Sequence, residues 1–314
     1  MPDPNPSCHL DAMNAEPQSA PLILDRMVDR LHERGRLRVW SLVITVFGDA
    51  ILPRGGQVPL SVLQELMARL RIEPGAVRTA MSRLAADHWV TRERGGRNSY
   101  YRLAEEGRHA FDLATRRIYA AGPPAWDGRW IVAVAPEGDG GRRGDRSRSL
   151  RTLGFVPTGP TAWLKPHSEG ADPLEDLPED LLVIDGVAVR IPDGVGRLWQ
   201  LGSVADAYRD LRDELAPLAA ALSRGEALAP LDAMAARVLV NHSWRRIVLR
   251  DPGLPEALLP AHWPGEEARQ TVRTVYAALA GPSEDWLDRA GMPGQVKPAL
   301  FAGRFGGLGP DAAG

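Results

Sequence analysis

Apolar residues recur every three or four positions in two neighbouring stretches between residues 58 and 103. The first stripe comprises Leu60, Leu63, Leu66, Met67 and Leu70. The second comprises Ala76, Val77, Ala80, Met81 and Leu84. Spacings of three and four are typical of amphipathic helices, and Pro74 suits the first turn of the second helix because its missing N–H would have no intrahelical partner. The pattern predicts two short helices, each with one buried face.

A strand-type stretch follows the second helix. Residues 89–94 have strand character, residues 95–98 (Gly-Gly-Arg-Asn) are typical of a turn, and residues 99–103 run back. These features predict a β-hairpin. A helix, a turn, a second helix and a hairpin together predict a winged helix-turn-helix.

The exposed face of the second helix has the composition of a DNA-reading surface. It carries Arg78, Thr79, Ser82 and Arg83. Small hydroxyl side chains allow close approach of the backbone, while arginine binds phosphate or guanine. The hairpin adds Arg94, Arg97 and Asn98, which we expect to contact the DNA backbone or the minor groove.

The charge distribution agrees with this interpretation. Residues 36–103 contain eleven Arg, no Lys and five acidic residues, which gives +6 in a chain of net charge −2 and leaves −8 for the rest. Such asymmetry indicates a polyanion-binding part of an otherwise acidic protein. A small helical subdomain with solvated arginines remains the alternative.

The middle of the chain has short strand-type segments. They are residues 130–135, 155–156, 162–164 and 181–184, with a predicted helix near residues 146–153 after the first of them. This order predicts a small ferredoxin-like α+β domain.

The last third has helical periodicity. Predicted helices cover residues 203–222, 230–249 and 265–280, with a short piece near Trp286. With a predicted core helix over residues 37–52, the fold class is α+β. The chain divides into a flexible leader (1–20), a winged helix-turn-helix domain (21–122), a ferredoxin-like central domain (123–202), a C-terminal helical domain (203–290) and a flexible glycine-rich tail (291–314).

Composition excludes several classes of protein. Cys8 is the single cysteine, so an intramolecular disulfide or a cysteine metal cluster is impossible. No apolar run approaches the roughly 20 residues that span a bilayer, and the first residues lack the pattern of a signal peptide. We therefore expect a cytoplasmic protein that does not contact the membrane.

Three sequence blocks resemble the PaaX family of bacterial transcription regulators, named for repression of phenylacetate catabolism. The blocks are SLVITVFGDAILPRGG, AVRTAMSRLAADHWVTRERGGRNSYYRLAEEG and WRRIVLRDPGLPEALLPAHWPG. The resemblance covers roughly residues 36 to 290. Its most specific part is the pattern DPxLPxxLLPxxWPG at residues 251–265.

The resemblance implies a homodimeric repressor that binds a palindromic operator and is released by an aryl-acyl coenzyme A such as phenylacetyl-CoA. It assigns the operator contacts to the arginines, hydroxyls and hairpin residues named above. It assigns effector binding and dimerisation to the C-terminal helical domain. Repression rather than activation follows only from the family.

Candidate chemistry elsewhere is limited. Trp244, Arg245 and Arg246 precede the family-specific block, and an acyl-CoA bound there would meet arginines at its phosphates and tryptophan at its rings. The alternative is that Trp244 belongs to the core and Arg245 pairs with a carboxylate.

His242 and His262 lie twenty residues apart, so we predict no metal site and no cofactor. No catalytic residues can be assembled, although an enzyme acting on nucleic acid or a CoA ester, with the winged helix as a docking module, remains the alternative function.

Overall fold

The fold was obtained as a computed structural model, which describes residues 18–33, 35, 37–95, 98–136, 143–167 and 177–309. Within these ranges helices and two β-sheets occur together, and the residues after 200 are mainly helical. The predicted α+β class with a helical C-terminal region is confirmed. Residues 1–17, most of the predicted leader, lie outside the described residues.

The N-terminal part combines helices with a three-stranded sheet. The helices are α1 (Ala20–Glu33), α2 (Val39–Val46), α3 (Leu60–Arg69), α4 (Pro74–Ala86) and α5 (Glu105–Ile118). The strands are β1 (Gln57–Pro59), β2 (Val90–Gly95) and β3 (Asn98–Leu103), in the order β1-β3-β2 with antiparallel pairings. The predicted hairpin is present. The sequence did not reveal β1, because three residues are too short to show alternation.

The predicted helix over residues 37–52 is present but irregular. Beyond α2 the chain continues through a π-helical turn (Phe47–Ile51) and a 3-10 turn (Leu52–Arg54). Within the π-helical turn, a Cβ on Gly48 would lie 2.9 Å from the ring of Phe111. Glycine at this position therefore allows the aromatic ring to pack directly on the backbone.

Among the described residues in the middle of the chain, a four-stranded sheet occurs together with one helix. The strands are β4 (Arg129–Val134), β5 (Val156–Pro157), β6 (Ala162–Pro166) and β7 (Leu182–Val187), and the helix is α6 (Arg143–Thr152). The order is β5-β6-β4-β7 and all pairings are antiparallel. One core cluster contains Ile131, Ala133, Leu150, Phe155 and Trp163.

The C-terminal region has four α-helices in its described residues. They are α7 (Gly202–Ser223), α8 (Pro230–Val248), α9 (Gly265–Arg289) and α10 (Pro298–Ala302). The predicted end of α9 at Ala280 is wrong, because the helix runs through Pro282 to Arg289. Proline removes one backbone donor, but Ser283 and Leu287 beyond it are fully buried, and their packing outweighs that loss.

Part of the glycine-rich tail packs within the second unit. Phe305 is 2 % exposed, and its backbone N–H donates to the carbonyl oxygen of Tyr119 at 2.9 Å. The two rings meet edge-on at 5.3 Å. Phe305 therefore packs against a buried aromatic partner, and the flexibility of the tail as a whole stays a prediction.

The described residues form two compact units, each drawn from three separate stretches of the chain. The first lies within Met1–Asp112, Arg212–Ser243 and Gln270–Ala302, and the second within Leu113–Leu211, Trp244–Arg269 and Gly303–Gly314. The continuous domains expected from the sequence do not map one to one onto these units, and their boundaries stay predictions. In the described part of the chain, helices long and apolar enough to cross a membrane are absent.

The first unit is organised around a fully buried guanidinium. Arg237 on α8 has no exposed side-chain surface, and it donates to the carboxylates of Asp49 and Glu284, each at 2.7 Å. Tyr276 also donates to Asp49 at 2.7 Å. Burial by itself lowers the pKa of Arg237, but the two carboxylates and Tyr276 hold it above its ordinary value. A charge pair of this kind must remain complete, because either partner alone would be a buried uncompensated charge.

The carboxylate of Glu284 also binds a second arginine, Arg54. Arg54 is 3 % exposed and donates to Glu284 at 2.6 Å, to Asp288 at 2.7 Å and to the carbonyl oxygen of Pro293 at 2.8 Å. Burial by itself raises the pKa of Glu284, but Arg237, Gln295 and Arg54 together hold it below its ordinary value. The ionised carboxylate thus links the end of the 3-10 turn to α8 and α9.

We expect Asp49→Asn to lower the free energy of unfolding by roughly 3–5 kcal/mol, because it removes the one fully buried carboxylate that Arg237 binds and leaves only the partly exposed carboxylate of Glu284. Urea unfolding followed by circular dichroism measures the change. The control is Asp145→Asn, whose partner Arg148 is 80 % exposed, and which should change stability by less than about 0.5 kcal/mol. Equal effects of the two substitutions would contradict the role of the buried network.

Candidate nucleic-acid interface

The face of α4 predicted to read DNA is exposed. Val77, Ala80, Met81 and Leu84 are buried, as their spacing predicted. The opposite face presents Arg78, Thr79, Ser82 and Arg83 to solvent. The structure therefore brings these four side chains together on one outward surface of a helix.

The contacts of these side chains keep them on the surface. Thr79 donates its hydroxyl to the carbonyl oxygen of Gly75 at 3.0 Å within the helix. Arg83 lies 3.6 Å from Asp87, but both side chains are more than half exposed, so the pair is weak. Its guanidinium also lies 5.5 Å from the ring centroid of Trp40 on α2. Trp40 lies within the predicted core helix over residues 37–52.

The hairpin lies next in the chain after α4. Arg94 is exposed near the end of β2, and Asn98 begins β3 opposite Gly95. Arg97 lies outside the described residues. Glu93 is the carboxylate of this hairpin, and it accepts from Arg102 at 3.2 Å and from Gln57 at 2.9 Å. Its negative charge is therefore partly compensated by β3 and β1.

Part of the positive charge counted in residues 36–103 is neutralised by carboxylates from other parts of the chain. Arg54 binds Glu284 and Asp288, Arg69 binds Asp232 and Asp25, and Arg71 binds Asp29. All of these carboxylates lie outside the counted segment. Among the described residues, Arg78 and Arg94 have no ion-pair or hydrogen-bond partner. Uncompensated charge is thus present on α4 and the hairpin, where a polyanion could reach it, and the exposed Arg38 before α2 adds to it.

The three residues considered for effector binding lie in different environments. Trp244 is 4 % exposed and donates its indole N–H to the carbonyl oxygen of Ile118 at 2.7 Å, which favours a structural role over stacking on a ligand. Arg245 is half-buried, and this burial, with the adjacent positive charge of Arg246, lowers the pKa of Arg245 to about 10. Arg246 is exposed.

The family-specific block, residues 251–265, packs within the second unit. Asp251 accepts from the hydroxyl of Tyr208 and from the backbone N–H of Gly253, each at 2.7 Å. Burial, together with the charge of Asp251, raises the pKa of Tyr208, so the phenol stays protonated and donates. A Cβ on Gly265 would lie 2.4 Å from the indole nitrogen of Trp263. The WPG sequence therefore needs glycine because tryptophan folds back onto it.

A cleft of about 580 Å3 adjoins this block within the second unit. Its polar and aromatic lining includes Arg197, Arg209, His262 and Trp263. Arg209 is bonded to Asp206 at 2.7 Å, which also lines the cleft. Sequence reasoning did not find this cleft, because its walls come from segments some sixty residues apart.

Metal binding finds no support in the part of the chain that the structure describes. No group of three His, Cys, Asp or Glu side chains there could hold an ion. His242, one of two histidines considered, is 6 % exposed and lies 3.0 Å from the hydroxyl of Thr45. Its burial and this contact favour a structural role for His242 in the core.

Comparison with known proteins finds similarity along most of the chain. The family described as PaaX-like protein matches residues 38–107, and the one described as PaaX-like protein C-terminal domain matches residues 199–289. Transcriptional repressor PaaX of Escherichia coli K12 is 34% identical over 289 residues, which covers 85% of this chain and 90% of that protein. The solved structure of the uncharacterised protein Rv0674 from Mycobacterium tuberculosis aligns with a TM-score of 0.54 and 22% identity, over 78% of this chain and 97% of that one. At this identity the structural likeness concerns the fold alone.

We expect Trp244→Ala to lower the free energy of unfolding by roughly 3–5 kcal/mol, because it removes a buried aromatic side chain and leaves a cavity. Its neighbour provides the control, since Arg246→Ala on the exposed surface should stay within about 0.5 kcal/mol of the original protein. Thermal and urea unfolding measure both. A Trp244→Ala protein of unchanged stability would favour a ligand-facing role instead.

Proposed function

Because this chain belongs to the PaaX family, we propose that it is a transcriptional repressor that binds an operator as a homodimer and is released by an aryl-acyl coenzyme A. The proposal extends the named activity of the Escherichia coli relative, a transcriptional repressor, to this chain. A repressor of chromosomal operators works in the cytoplasm. Its direct partners are double-stranded DNA and a small-molecule effector.

The observation that carries the proposal is the outward face of α4. Four side chains suited to DNA contact project from one helix whose other face is buried, and a hairpin with an exposed arginine follows it in the chain. We interpret α3, α4 and the β1-β3-β2 sheet as a winged helix-turn-helix. In such domains the second helix of the pair enters the major groove, and adjacent elements contact the sugar-phosphate backbone.

The middle sheet supports a ferredoxin-like arrangement. Its first strand, β4, lies between β6 and β7, the third and fourth, and α6 connects β4 to β5. This order and the antiparallel directions fit a βαββαβ sheet. The second helix of that pattern would fall between β6 and β7, where residues 168–176 lie outside the described residues.

A homodimer explains how a single recognition helix could give operator specificity. Two copies related by a two-fold axis would read two half-sites about 34 Å apart, or a multiple of that distance, so the operator would be palindromic. An effector could release the complex only to the extent that it prefers a state that does not fit those half-sites.

Two places in the second unit suit an anionic effector with an aromatic group. Arg245 and Arg246 offer positive charge at the end of α8, and the cleft offers Arg197, Arg209 and Trp263. Guanidinium groups form charge-assisted hydrogen bonds with phosphates, and indole rings stack on aromatic groups. We propose that the effector binds at Arg245 and Arg246. The cleft is the alternative site, against which the experiment below compares them.

The comparison with known proteins favours a repressor over the enzyme alternative. The relative that this chain covers over 90% of its length is a repressor, not an enzyme. A shared fold by itself does not transfer catalysis from any other protein.

We expect Arg78→Ala and Arg83→Ala each to weaken binding to the DNA upstream of the protein's own gene by roughly 1–3 kcal/mol if the side chain reads a base. Gel shifts over a range of salt concentrations measure this. A residue that contacts only phosphate should instead weaken binding on every sequence and reduce the salt slope by about one.

The control for this test is Arg148→Ala, because Arg148 is 80 % exposed and lies on α6, outside the proposed interface. Its affinity and salt slope should match those of the original protein. If all three substitutions behaved alike, α4 would not be the recognition helix.

We expect phenylacetyl-CoA to dissociate the operator complex and coenzyme A without an acyl group to do so much less well. Replacing Arg245 and Arg246 together by Ala should raise the concentration of ester needed by about tenfold or more, because each charge-assisted hydrogen bond contributes roughly 1.5–3 kcal/mol. Titrations of the gel-shift complex measure the change. If Arg197→Ala with Arg209→Ala moved the titration and the first pair did not, the effector would lie in the cleft.

A further inference from the structure

One arginine on the outward face of α4 also rests on a neighbouring helix. The guanidinium carbon of Arg83 lies over the ring of Trp40, at the start of α2, 5.5 Å from the ring centroid. Arg78, on the same face of α4, has no ring, hydrogen-bond or ion-pair partner among the described residues. The two arginines of this face therefore differ in how firmly the protein holds them.

The indole under Arg83 is a fixed surface. Trp40 is half-buried, and the helix that carries it is anchored on its other side. Leu42 and Val43 of α2 have no exposed surface, and the hydroxyl of Thr45 lies 3.0 Å from Nδ1 of His242 on α8. Because α2 cannot move freely, the arginine is the flexible partner of this contact and the tryptophan is its support.

The other neighbour of Arg83 is a carboxylate on its own helix. Oδ2 of Asp87 lies 3.6 Å from Nε of Arg83, which is too long for a hydrogen bond. The two side chains are 64 % and 54 % exposed, so water and salt screen their attraction. The first turn of α2 carries no acidic residue. The contact between Arg83 and α2 is therefore with the ring of Trp40 and not with a charge.

The two neighbours occupy different parts of the guanidinium group. A guanidinium that stacks on an aromatic ring uses its flat face and leaves the N–H groups in its plane available. Asp87 lies nearest to Nε, and the two terminal nitrogens of Arg83 have no hydrogen-bond partner in the described part of the chain. Such nitrogens bind a guanine or a phosphate in a bidentate manner. The protein thus holds Arg83 while leaving free the donors that DNA would use.

Holding an arginine in this way favours binding to a polyanion. An exposed arginine ordinarily samples many rotamers, and it loses that freedom when DNA fixes it. A side chain that is already held in its bound orientation loses less, so the same contacts give a tighter complex. A carboxylate would restrict the arginine but would also cancel its charge, whereas an indole restricts it and leaves the charge intact. An aromatic neighbour is therefore the better support for a DNA-contacting arginine.

We propose that Trp40 is a positioning residue for DNA recognition. Its ring holds the guanidinium of Arg83 in the orientation from which Arg83 contacts the operator, and Trp40 acts through this arginine rather than on the DNA itself. The residues that determine operator binding then extend from α4 to the start of α2. This inference rests on the proposed function, because it requires that α4 contacts DNA.

A double-mutant cycle tests the role of Trp40. Trp40→Leu keeps an apolar side chain at the half-buried position but removes the ring, and it should weaken operator binding about two- to fivefold, the equivalent of one exposed cation–π contact. In an Arg83→Ala protein the same substitution should have almost no effect, since no guanidinium is left to hold. Fluorescence anisotropy of labelled operator DNA, with the full chain, measures the four dissociation constants.

Arg78 supplies the matched control on the same face of α4. In an Arg78→Ala protein, Trp40→Leu should weaken operator binding by the same factor as in the original protein, because side chains without a shared contact act independently. Equal coupling of Trp40 to Arg78 and to Arg83 would indicate a general displacement of α4, and it would overturn the specific role of Trp40.

A conservative substitution separates positioning from folding. Trp40→Phe keeps an aromatic ring for the guanidinium, so it should bind the operator more tightly than Trp40→Leu does. Thermal unfolding followed by circular dichroism measures the stability of both variants. A loss of folded protein would weaken binding equally with and without Arg83, so it cannot produce the expected coupling.

The same titrations distinguish this inference from the proposed function. Equal weakening by Trp40→Leu in the presence and absence of Arg83 would overturn the positioning role, and specific operator binding by the original protein would still leave the regulator in place. An original protein that binds no operator would contradict both proposals.

Discussion

The first unit depends on one buried guanidinium. Arg237 lies on α8, and its two carboxylate partners come from the π-helical turn after α2 and from α9. Because a buried charge is tolerated only when its partners stay in place, this contact fixes three distant segments against one another. The hydrogen bond between Thr45 and His242 lies between the same helices, α2 and α8, at 3.0 Å.

This constraint reaches the proposed DNA-contacting face of α4 through α2. Trp40, near the start of α2, lies under the guanidinium of Arg83 on α4. A recognition helix gains specificity when its side chains are held before the DNA arrives, because less conformational entropy is then lost on binding. The buried ionic network therefore supports the exposed arginine face, because it fixes α2, and Trp40 of α2 contacts Arg83 on α4.

Arginine has two different roles in this chain, and position in the fold separates them. Arg54 and Arg69 are held by carboxylates from α1, α8 or α9, so their charge stabilises the unit and contributes little to the external field. Arg78 and Arg94 point outward without such partners among the described residues. The net charge of a segment counts both kinds of arginine alike. Only the distances between side chains show which arginines are paired with carboxylates and which are not.

The sequence by itself determined the local elements and the face of α4 that is exposed, because helical periodicity and turn residues act over a few positions and need no distant partner. It also pointed to the family, through the pattern at residues 251–265. It could not show that Asp251 accepts a hydrogen bond from Tyr208, that Arg237 is buried, or that β7 lies at the edge of its sheet among the described strands, with Leu182, Ile184 and Val187 exposed. Those facts depend on contacts between residues far apart in the chain, and only the tertiary structure decides which distant side chains meet, which charges are neutralised and which strand has no neighbour.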